Sequence, residues 1–289
     1  MSATEHSPRP SDAPVAREAY THGYGERVVQ HMAGRSASVT LAFFLPHLQP
    51  GFRVLDCGCG PGAITADVAA LVAPGEAVGV DIEPGQVETA RQRAAERGIA
   101  NVRFEVASLY ELPFPDGSFA AAYAHTVIQH LREPLRALRE IRRVLAPGGL
   151  LGLRDDDWGA VLWAPRDPLV ELAMDLVVKV WNYNGGDPFY PRQQRRLLRE
   201  AGFARTAGSA SVECRGTPDE TRAWADVVIA HNRAPAFVQT VLEQGWIDDA
   251  TLAATHEALR GWGEHPDAYQ ATIMCEAIGW VDAIRKTDR

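Results

Sequence analysis

An apolar strand leads directly into a glycine-rich loop in the run Val54-Leu55-Asp56-Cys57-Gly58-Cys59-Gly60-Pro61-Gly62. Glycine stands at every second position of the loop, so side chains are missing just where a strand must turn into a helix. The backbone can therefore turn tightly and lie against a bound ligand. Strand, glycine loop and helix in this order are typical of open α/β folds, which hold nucleotide-like ligands at the carboxyl edge of a sheet.

Strand and helix patterns alternate through the first half of the chain. The sequence predicts strands at 52–56, 77–81, 102–106, 119–124 and 150–154, with helices between them at 63–72, 84–97 and 134–145. This alternation indicates a parallel sheet with right-handed crossovers. A sixth strand is predicted at 203–213. We interpret 269–280 as a last strand, because the sixth strand would otherwise remain a bare edge with unpaired backbone groups.

The chain is predicted to be organised in consecutive segments. They are a disordered tail at 1–14, an N-terminal helical cover at 15–48, a core at 49–214 that carries an insertion at 158–190, a helical lid at 215–265, and the last strand with the C-terminus at 266–289. The tail is rich in Ser, Pro and charge and lacks the apolar core of a signal peptide. The lid is expected to fold over the carboxyl edge of the sheet.

Composition narrows the classes of partner. The net charge of −8 argues against a nucleic-acid partner, which would require a basic face. No apolar run approaches the roughly 18 residues that span a bilayer, so no membrane partner is expected. Four cysteines in 289 residues do not make a disulfide framework, and a reducing cytoplasm is the simplest setting. Apolar residues in the lid helices are compatible with a homodimer.

Two carboxylates follow neighbouring strands at the glycine loop. Asp81 closes the second predicted strand, where a carboxylate can accept both hydroxyls of a ribose. Asp56 lies in the glycine loop itself, where it would repel a pyrophosphate and attract an ammonium group. The pair therefore predicts a cationic nucleoside as ligand in preference to a dinucleotide.

These motifs together resemble the class I S-adenosylmethionine-dependent methyltransferases. The run 54–62 is similar to the first motif of the family, 78–82 to its second-strand motif, and 145–149 to the turn before the fifth strand. The stretch 112–119 also fits, and the resemblance covers about residues 35–205. Within the family, the sequence most resembles the small-molecule enzymes that are grouped with the quinone-ring C-methyltransferases.

The resemblance implies a Rossmann-like, mostly parallel sheet of seven strands with an antiparallel last strand, helices on both faces and a helical lid insertion. It also implies S-adenosylmethionine as co-substrate and a small organic acceptor, methylated on oxygen, nitrogen or carbon, with release of S-adenosylhomocysteine. Two alternatives stay open. One is a non-catalytic S-adenosyl-binding partner or regulatory protein. The other is a nicotinamide oxidoreductase, although its G-x-G-x-x-G fingerprint differs from the glycine spacing found here.

Roles in donor binding follow from the resemblance. It places Asp56 near the methionine amine, Asp81 on the ribose and Ile82 against the adenine. Family members usually carry an acidic residue after the third strand, where this chain has Ser108, a weaker hydrogen-bond acceptor. Tyr24 lies in a segment that is predicted either to cover the donor or to form a plain surface turn. The remaining candidate donor contacts are Gly58, Cys59, Gly60, Leu109 and His125.

Two residues are candidates for the catalytic step. His125 ends the fourth predicted strand and faces the edge where the methyl group would lie, and the alternative is an ordinary polar residue at a strand end. Asp155, with Asp156 and Asp157, is taken to end the fifth strand; it is predicted to act as a base or to orient the acceptor, or else to be a solvated loop acid. Adjacent residues of an extended chain point to opposite sides, so no metal is predicted.

Overall fold

The computed structural model describes residues 32–283, and a single sheet forms its centre. The strands are β1 Arg53–Cys57, β2 Glu76–Asp81, β3 Val102–Val106, β4 Phe119–His125, β5 Leu145–Ala164, β6 Arg205–Arg215 and β7 Tyr269–Trp280. They lie in the order β3-β2-β1-β4-β5-β7-β6. Strands β1 to β5 pair in parallel, whereas β7 is antiparallel to both β5 and β6. The predicted seven-stranded, mostly parallel sheet is confirmed.

Helices connect the strands and cover both faces of the sheet. They are α1 Ala37–Thr40, α2 Ala63–Val72, α3 Pro84–Glu96, α4 Pro134–Val144, α5 Pro168–Tyr183, α6 Gln194–Glu200, α7 Pro218–Asn232, α8 Pro235–Glu243 and α9 Asp249–Gly263. Short 3-10 turns lie at Leu45–His47, Ile128–His130 and Tyr190–Gln193. Strand order reverses between β1 and β4, and open α/β sheets bind ligands at such a switch point.

Neighbouring residues of β1 show how the sheet is buried on both sides. Val54 packs in one apolar cluster with Phe44 and Val68, while Leu55 packs in a second cluster with Leu138 and Leu151. Because successive side chains of a strand point to opposite faces, the two clusters lie on opposite sides of the sheet. Both faces are therefore closed by apolar packing, and the site must lie at an edge.

Strand β5 is much longer than its sequence pattern predicts. It was expected to end at Arg154, but it continues to Ala164, because β7 supplies backbone partners as far as the pair Ala164–Tyr269. The prediction that Asp155 and its two acidic neighbours end the strand is therefore wrong, since all three lie within it. The predicted insertion at 158–190 likewise begins as strand.

The N-terminal cover, which is predicted to be helical, contains only short helical turns in the part between residues 34 and 48. Between residues 32 and 48 the chain forms the one-turn helix α1 and a 3-10 turn, with Leu41 and Phe44 fully buried. Residues 1–31 lie outside the described part of the chain, and with them the predicted disordered tail and the candidate donor contact Tyr24.

The segment between β6 and β7 is helical, as the sequence predicts. Its helices α7, α8 and α9 pack on α5: Val228 and Leu259 share one apolar cluster with Val170, and Phe237 shares another with Trp181. We call α7 to α9 the lid helices. No helix between residues 32 and 283 combines the length and the apolar composition that crossing a bilayer requires.

Candidate active site

The loop after β1 is held in a shape that only glycine accommodates. Gly58 and Gly62 have φ angles of 83° and 78°. A Cβ atom on Gly62 would lie 2.7 Å from the Cβ of Ala90, and one on Gly58 would lie 2.5 Å from a methyl carbon of Val127. Positive φ and close neighbours both exclude a side chain here. The loop therefore presents bare backbone to the crevice between β1 and β4.

The carboxylate of Asp81 joins the glycine loop to the end of β2. Its Oδ2 accepts a hydrogen bond from the backbone N–H of Gly60 at 2.9 Å, and its Oδ1 accepts one from Glu83 at 2.9 Å. Burial raises the pKa of this carboxyl, and the two backbone N–H groups oppose that rise. Each oxygen keeps a second lone pair that can accept a further hydrogen bond.

Asp56 is the buried carboxyl at the end of β1. Its Oδ2 accepts hydrogen bonds from the Thr65 hydroxyl at 2.6 Å and from the Tyr123 hydroxyl at 2.7 Å. Burial nevertheless raises the pKa of Asp56 to about 7. Thr65 and Tyr123 were not predicted, although the register pairs Tyr123 directly with Asp56. The pKa of a carboxyl buried in this way falls strongly when a cation binds nearby.

Two buried tyrosines allow a matched test of this geometry. At pH 8, where Asp56 is mostly ionised, Tyr123→Phe is expected to lower the free energy of unfolding by about 1.5–3 kcal/mol, because a charge-assisted hydrogen bond is lost. Tyr190 is equally buried, but its hydroxyl has no hydrogen-bond partner among residues 32–283. Tyr190→Phe should therefore leave stability unchanged or raise it slightly. Urea unfolding of both variants checks this, and an equal loss in the two would contradict it.

An open cleft of about 1080 Å³ lies at the glycine loop, and we call it the donor cleft. Of the ten predicted donor contacts, Tyr24 lies outside the described residues. The other nine line the cleft: Asp56, Gly58, Cys59, Gly60, Asp81, Ile82, Ser108, Leu109 and His125. Ile82 remains 41% exposed, as expected for an apolar side chain in an open site. The Ser108 hydroxyl accepts a hydrogen bond from the backbone N–H of Tyr110 at 3.2 Å.

A second space of about 1090 Å³, also open to solvent, adjoins the donor cleft, and we call it the acceptor cavity after the role proposed for it below. It lies among β5, β6, β7, α5 and α7, with Trp158, Trp163 and Trp224 in its wall. The residues that line both spaces are Met32, Arg35, His125, Thr126 and His130. We call these five the shared wall.

His125 and Asp155, the two candidate catalytic residues, occupy very different places. His125 belongs to the shared wall, and its Nδ1 lies 3.3 Å from the carbonyl oxygen of Arg154. Asp155 is fully buried: its Oδ1 accepts from the Val127 N–H at 3.1 Å and its Oδ2 from the Gln194 amide at 2.9 Å. Burial raises the pKa of Asp155 to about 7.

Asp155 is absent from the described lining of both the cleft and the cavity, whereas its neighbour Asp156 lines the acceptor cavity. The reason is strand alternation, since β5 continues through this point and turns the two side chains to opposite faces. The structure therefore gives no support to Asp155 as a base. Its carboxylate instead fixes the loop that carries Val127 against Gly58.

Comparison with known proteins decides the family. Residues 54–149 match the model of a methyltransferase domain. A probable methyltransferase of Aspergillus luteorubrus, ltbC, is 30% identical over 90% of this chain and 96% of its own length. The chain belongs to the methyltransferase family. The demethylmenaquinone methyltransferase of Symbiobacterium thermophilum is 32% identical over 55% of this chain and 71% of its own length.

A solved structure has the same fold as this methyltransferase. The YcgJ protein of Bacillus subtilis covers 88% of this chain and 99% of its own, with a TM-score of 0.55 at 20% identity. The predicted resemblance is confirmed, and S-adenosylmethionine is the co-substrate of an enzyme that transfers a methyl group. The non-catalytic and nicotinamide alternatives are set aside.

Sequence reasoning missed several residues of the shared wall of this methyltransferase. Arg35 donates a hydrogen bond to the Thr126 hydroxyl at 3.1 Å, and Thr126 has the unusual φ of 55°. The His130 ring stacks on Trp181, with centroids 4.4 Å apart and planes 5° from parallel. Burial lowers the pKa of His130 to about 3, which keeps the ring neutral. In residues 32–283 no three His, Cys, Asp or Glu side chains cluster in a way that could hold a metal ion.

Proposed function

We propose that the donor cleft holds S-adenosylmethionine and that the acceptor cavity holds a small organic acceptor, so that the methyl group passes between them at the shared wall. One observation carries this proposal: His125, Thr126 and His130 line both spaces, together with Met32 and Arg35. A donor and an acceptor that occupy the two spaces would meet at these side chains. Holding two reactants in contact in this way supplies much of the acceleration in a transfer reaction.

We propose an orientation for the donor from the side chains that line the cleft. Asp81 would accept hydrogen bonds from the ribose hydroxyls on the lone pairs that Gly60 and Glu83 leave open. Asp56 would attract the ammonium of the methionine part, and Ile82, Ser108 and Leu109 would surround the adenine. The sulfonium then falls between these ends, near the shared wall.

In the transfer step, an electron pair of the acceptor attacks the methyl carbon, and the carbon–sulfur pair passes to sulfur. The sulfonium becomes the neutral thioether of S-adenosylhomocysteine. Where the nucleophile carries a proton, we propose His125 as the group that accepts it. The Arg154 carbonyl can only accept a hydrogen bond, so His125 Nδ1 bears the hydrogen and the lone pair is on Nε2.

We also propose a cover and a lid for the site, a small acceptor, a cytoplasmic setting and a homodimer. The segments 15–48 and 215–265 are proposed to cover the site as an N-terminal cover and a lid. The net charge of −8 supports a small acceptor over a nucleic acid. Free cysteines at 57, 59, 214 and 275 are compatible with a cytoplasmic setting. The exposed apolar side chains of Leu162 and Val212 are compatible with a homodimer.

Calorimetry tests the proposal directly. S-adenosylmethionine and S-adenosylhomocysteine are expected to bind, while NAD is expected not to. Incubation with a donor labelled on its methyl group and a cell extract, followed by mass spectrometry, should then reveal a metabolite that has gained one labelled methyl. Binding of NAD in place of both S-adenosyl compounds would contradict the assignment of the donor cleft.

His125→Gln should slow transfer while leaving donor affinity within about threefold, since the cleft keeps its carboxylates.

A further inference from the structure

The acceptor cavity has aromatic walls with a second aromatic layer behind them. Trp163 and Trp224 lie with ring centroids 5.1 Å apart, and Trp262 packs edge-on against both. On another side of the cavity, Trp158 packs edge-on against Trp181 at 5.3 Å. Rings supported in this way lose little freedom when a ligand binds, and their faces suit a flat apolar compound.

A polar pair interrupts these apolar walls. Gln129 and Asp156 both line the acceptor cavity, and the amide Nε2 of Gln129 donates a hydrogen bond to Asp156 Oδ1 at 2.7 Å. Gln129 is only 1% exposed, and its Oε1 accepts no hydrogen bond from any described residue. A buried amide oxygen left in this state costs about 1–3 kcal/mol. A hydrogen-bond donor on the ligand would remove that cost.

The backbone of Gln129 is held in place by two hydrogen bonds, so the position of the pair in the cavity is fixed. The carbonyl oxygen of Gln129 accepts hydrogen bonds from the indole of Trp181 at 3.2 Å and from the N–H of Asp187 at 2.9 Å. Both partners belong to α5 and the loop that follows it. The amide side chain of Gln129 is thereby held next to His130 of the shared wall.

Charge in the acceptor cavity is balanced. Glu213 accepts from Arg154 at 3.0 Å and from Arg215 at 3.3 Å, so that carboxylate is already neutralised. Asp156 and Glu213 are matched by Arg35 and Arg215 among the lining residues, which gives no net formal charge. An ionised group that binds between Gln129 and the tryptophans would lie there without a counter-charge, and burial of an unpaired charge is expensive. The cavity therefore favours an uncharged ligand.

We propose that the acceptor is an uncharged, flat aromatic compound that carries a hydroxyl group, and that Gln129 and Asp156 bind this hydroxyl. The inference rests on the proposed function, since it names the class of compound that the acceptor cavity takes. The hydroxyl hydrogen is donated to the acceptor oxygens of the pair, while the ring system lies against the tryptophans.

Three naphthalene probes separate the features of this proposal. They are 2-naphthol, 2-methoxynaphthalene, which cannot donate a hydrogen bond, and 2-naphthoate, which is charged. Calorimetry in the presence of saturating S-adenosylhomocysteine is expected to show binding of 2-naphthol. The methyl ether should bind about tenfold more weakly, because the buried oxygens stay unpaired, and the carboxylate more weakly still.

Variants at the pair complete the test. Gln129→Met keeps the volume and should weaken 2-naphthol binding about tenfold while leaving the affinity for the methyl ether unchanged. Asp157→Asn is the matched control, since Asp157 follows Asp156 but pairs with Arg192 outside the cavity. It should change neither affinity. Thermal unfolding of each variant shows whether the fold is intact.

Several outcomes would overturn the proposal. They are no binding of 2-naphthol to the wild-type protein, equal binding of the ether, tighter binding of the carboxylate, or an equal loss in Gln129→Met and Asp157→Asn. Competition between 2-naphthol and S-adenosylhomocysteine would also overturn it, because the probe would then occupy the donor cleft. Failure of the proposed function itself is recognised separately, because S-adenosylhomocysteine would then not bind the wild-type protein even when no probe is present.

Discussion

Asp81→Ala is expected to weaken the binding of S-adenosylmethionine by about 100-fold or more, a loss near 3 kcal/mol. Two effects add together. The ribose hydroxyls lose a charged acceptor, which is worth about 1.5–3 kcal/mol. The backbone N–H groups of Gly60 and Glu83 also lose their partner, so the glycine loop is no longer tied to the end of β2. Calorimetric titration of the variant with S-adenosylmethionine measures the loss.

Two further variants make the Asp81 experiment specific. Glu88→Ala removes an exposed carboxylate from α3, in the same strand–helix unit, and should leave the dissociation constant unchanged. Asp81→Asn keeps one carbonyl oxygen and should fall between Asp81→Ala and the wild type. An unchanged donor affinity in Asp81→Ala, with the fold intact by circular dichroism, would refute the ribose role of Asp81.

Binding of S-adenosylmethionine at pH 6 is expected to release up to about one proton from Asp56. In the free protein the pKa of Asp56 is about 7, so the carboxyl is mostly protonated at pH 6. The ammonium of the donor favours the ionised form and lowers this pKa. The dissociation constant should therefore fall by up to about tenfold per pH unit as the pH rises from about 5 to 7, and then level off. Calorimetry in two buffers of different ionisation enthalpy counts the protons.

Asp56→Asn is the control for this pH dependence. It should remove the proton release, and the pH dependence of donor binding should become shallow. In the absence of ligand, the folded state holds a proton on Asp56 that the unfolded state has lost between about pH 3.8 and 7. The free energy of unfolding should consequently decrease as the pH rises through this window, and less steeply in Asp56→Asn. Proton release that persists in Asp56→Asn would point to another group.

The donor half of the site could be predicted because its determinants are local. A strand that runs into Gly58, Gly60 and Gly62 must place bare backbone at the edge of the sheet, and an acid that closes the next strand must lie beside it. Alternating strands and helices then set the parallel order. The structure brings these residues into one cleft.

The acceptor half could not be predicted because its determinants are distant in sequence. Strand β5 continues past Arg154 only because β7, more than a hundred residues further on, pairs with it as far as Tyr269. The length of β5 decides that Asp156, and not Asp155, lines the acceptor cavity. Local pattern contains no signal for a partner strand of this kind. The stacking of His130 on Trp181 likewise depends on where α5 returns to the sheet.

The shared wall separates two stretches of chain as well as two cavities. Every described residue that lines only the donor cleft precedes position 132, and, apart from Gln129, every one that lines only the acceptor cavity follows position 155. The residues that line only the acceptor cavity can therefore vary without removing a side chain from the donor cleft, while Asp155 of the C-terminal half continues to hold Val127 against Gly58. We therefore expect a change of acceptor to require mutations chiefly in the second half of the gene, since most residues that line the donor cleft are encoded in the first half.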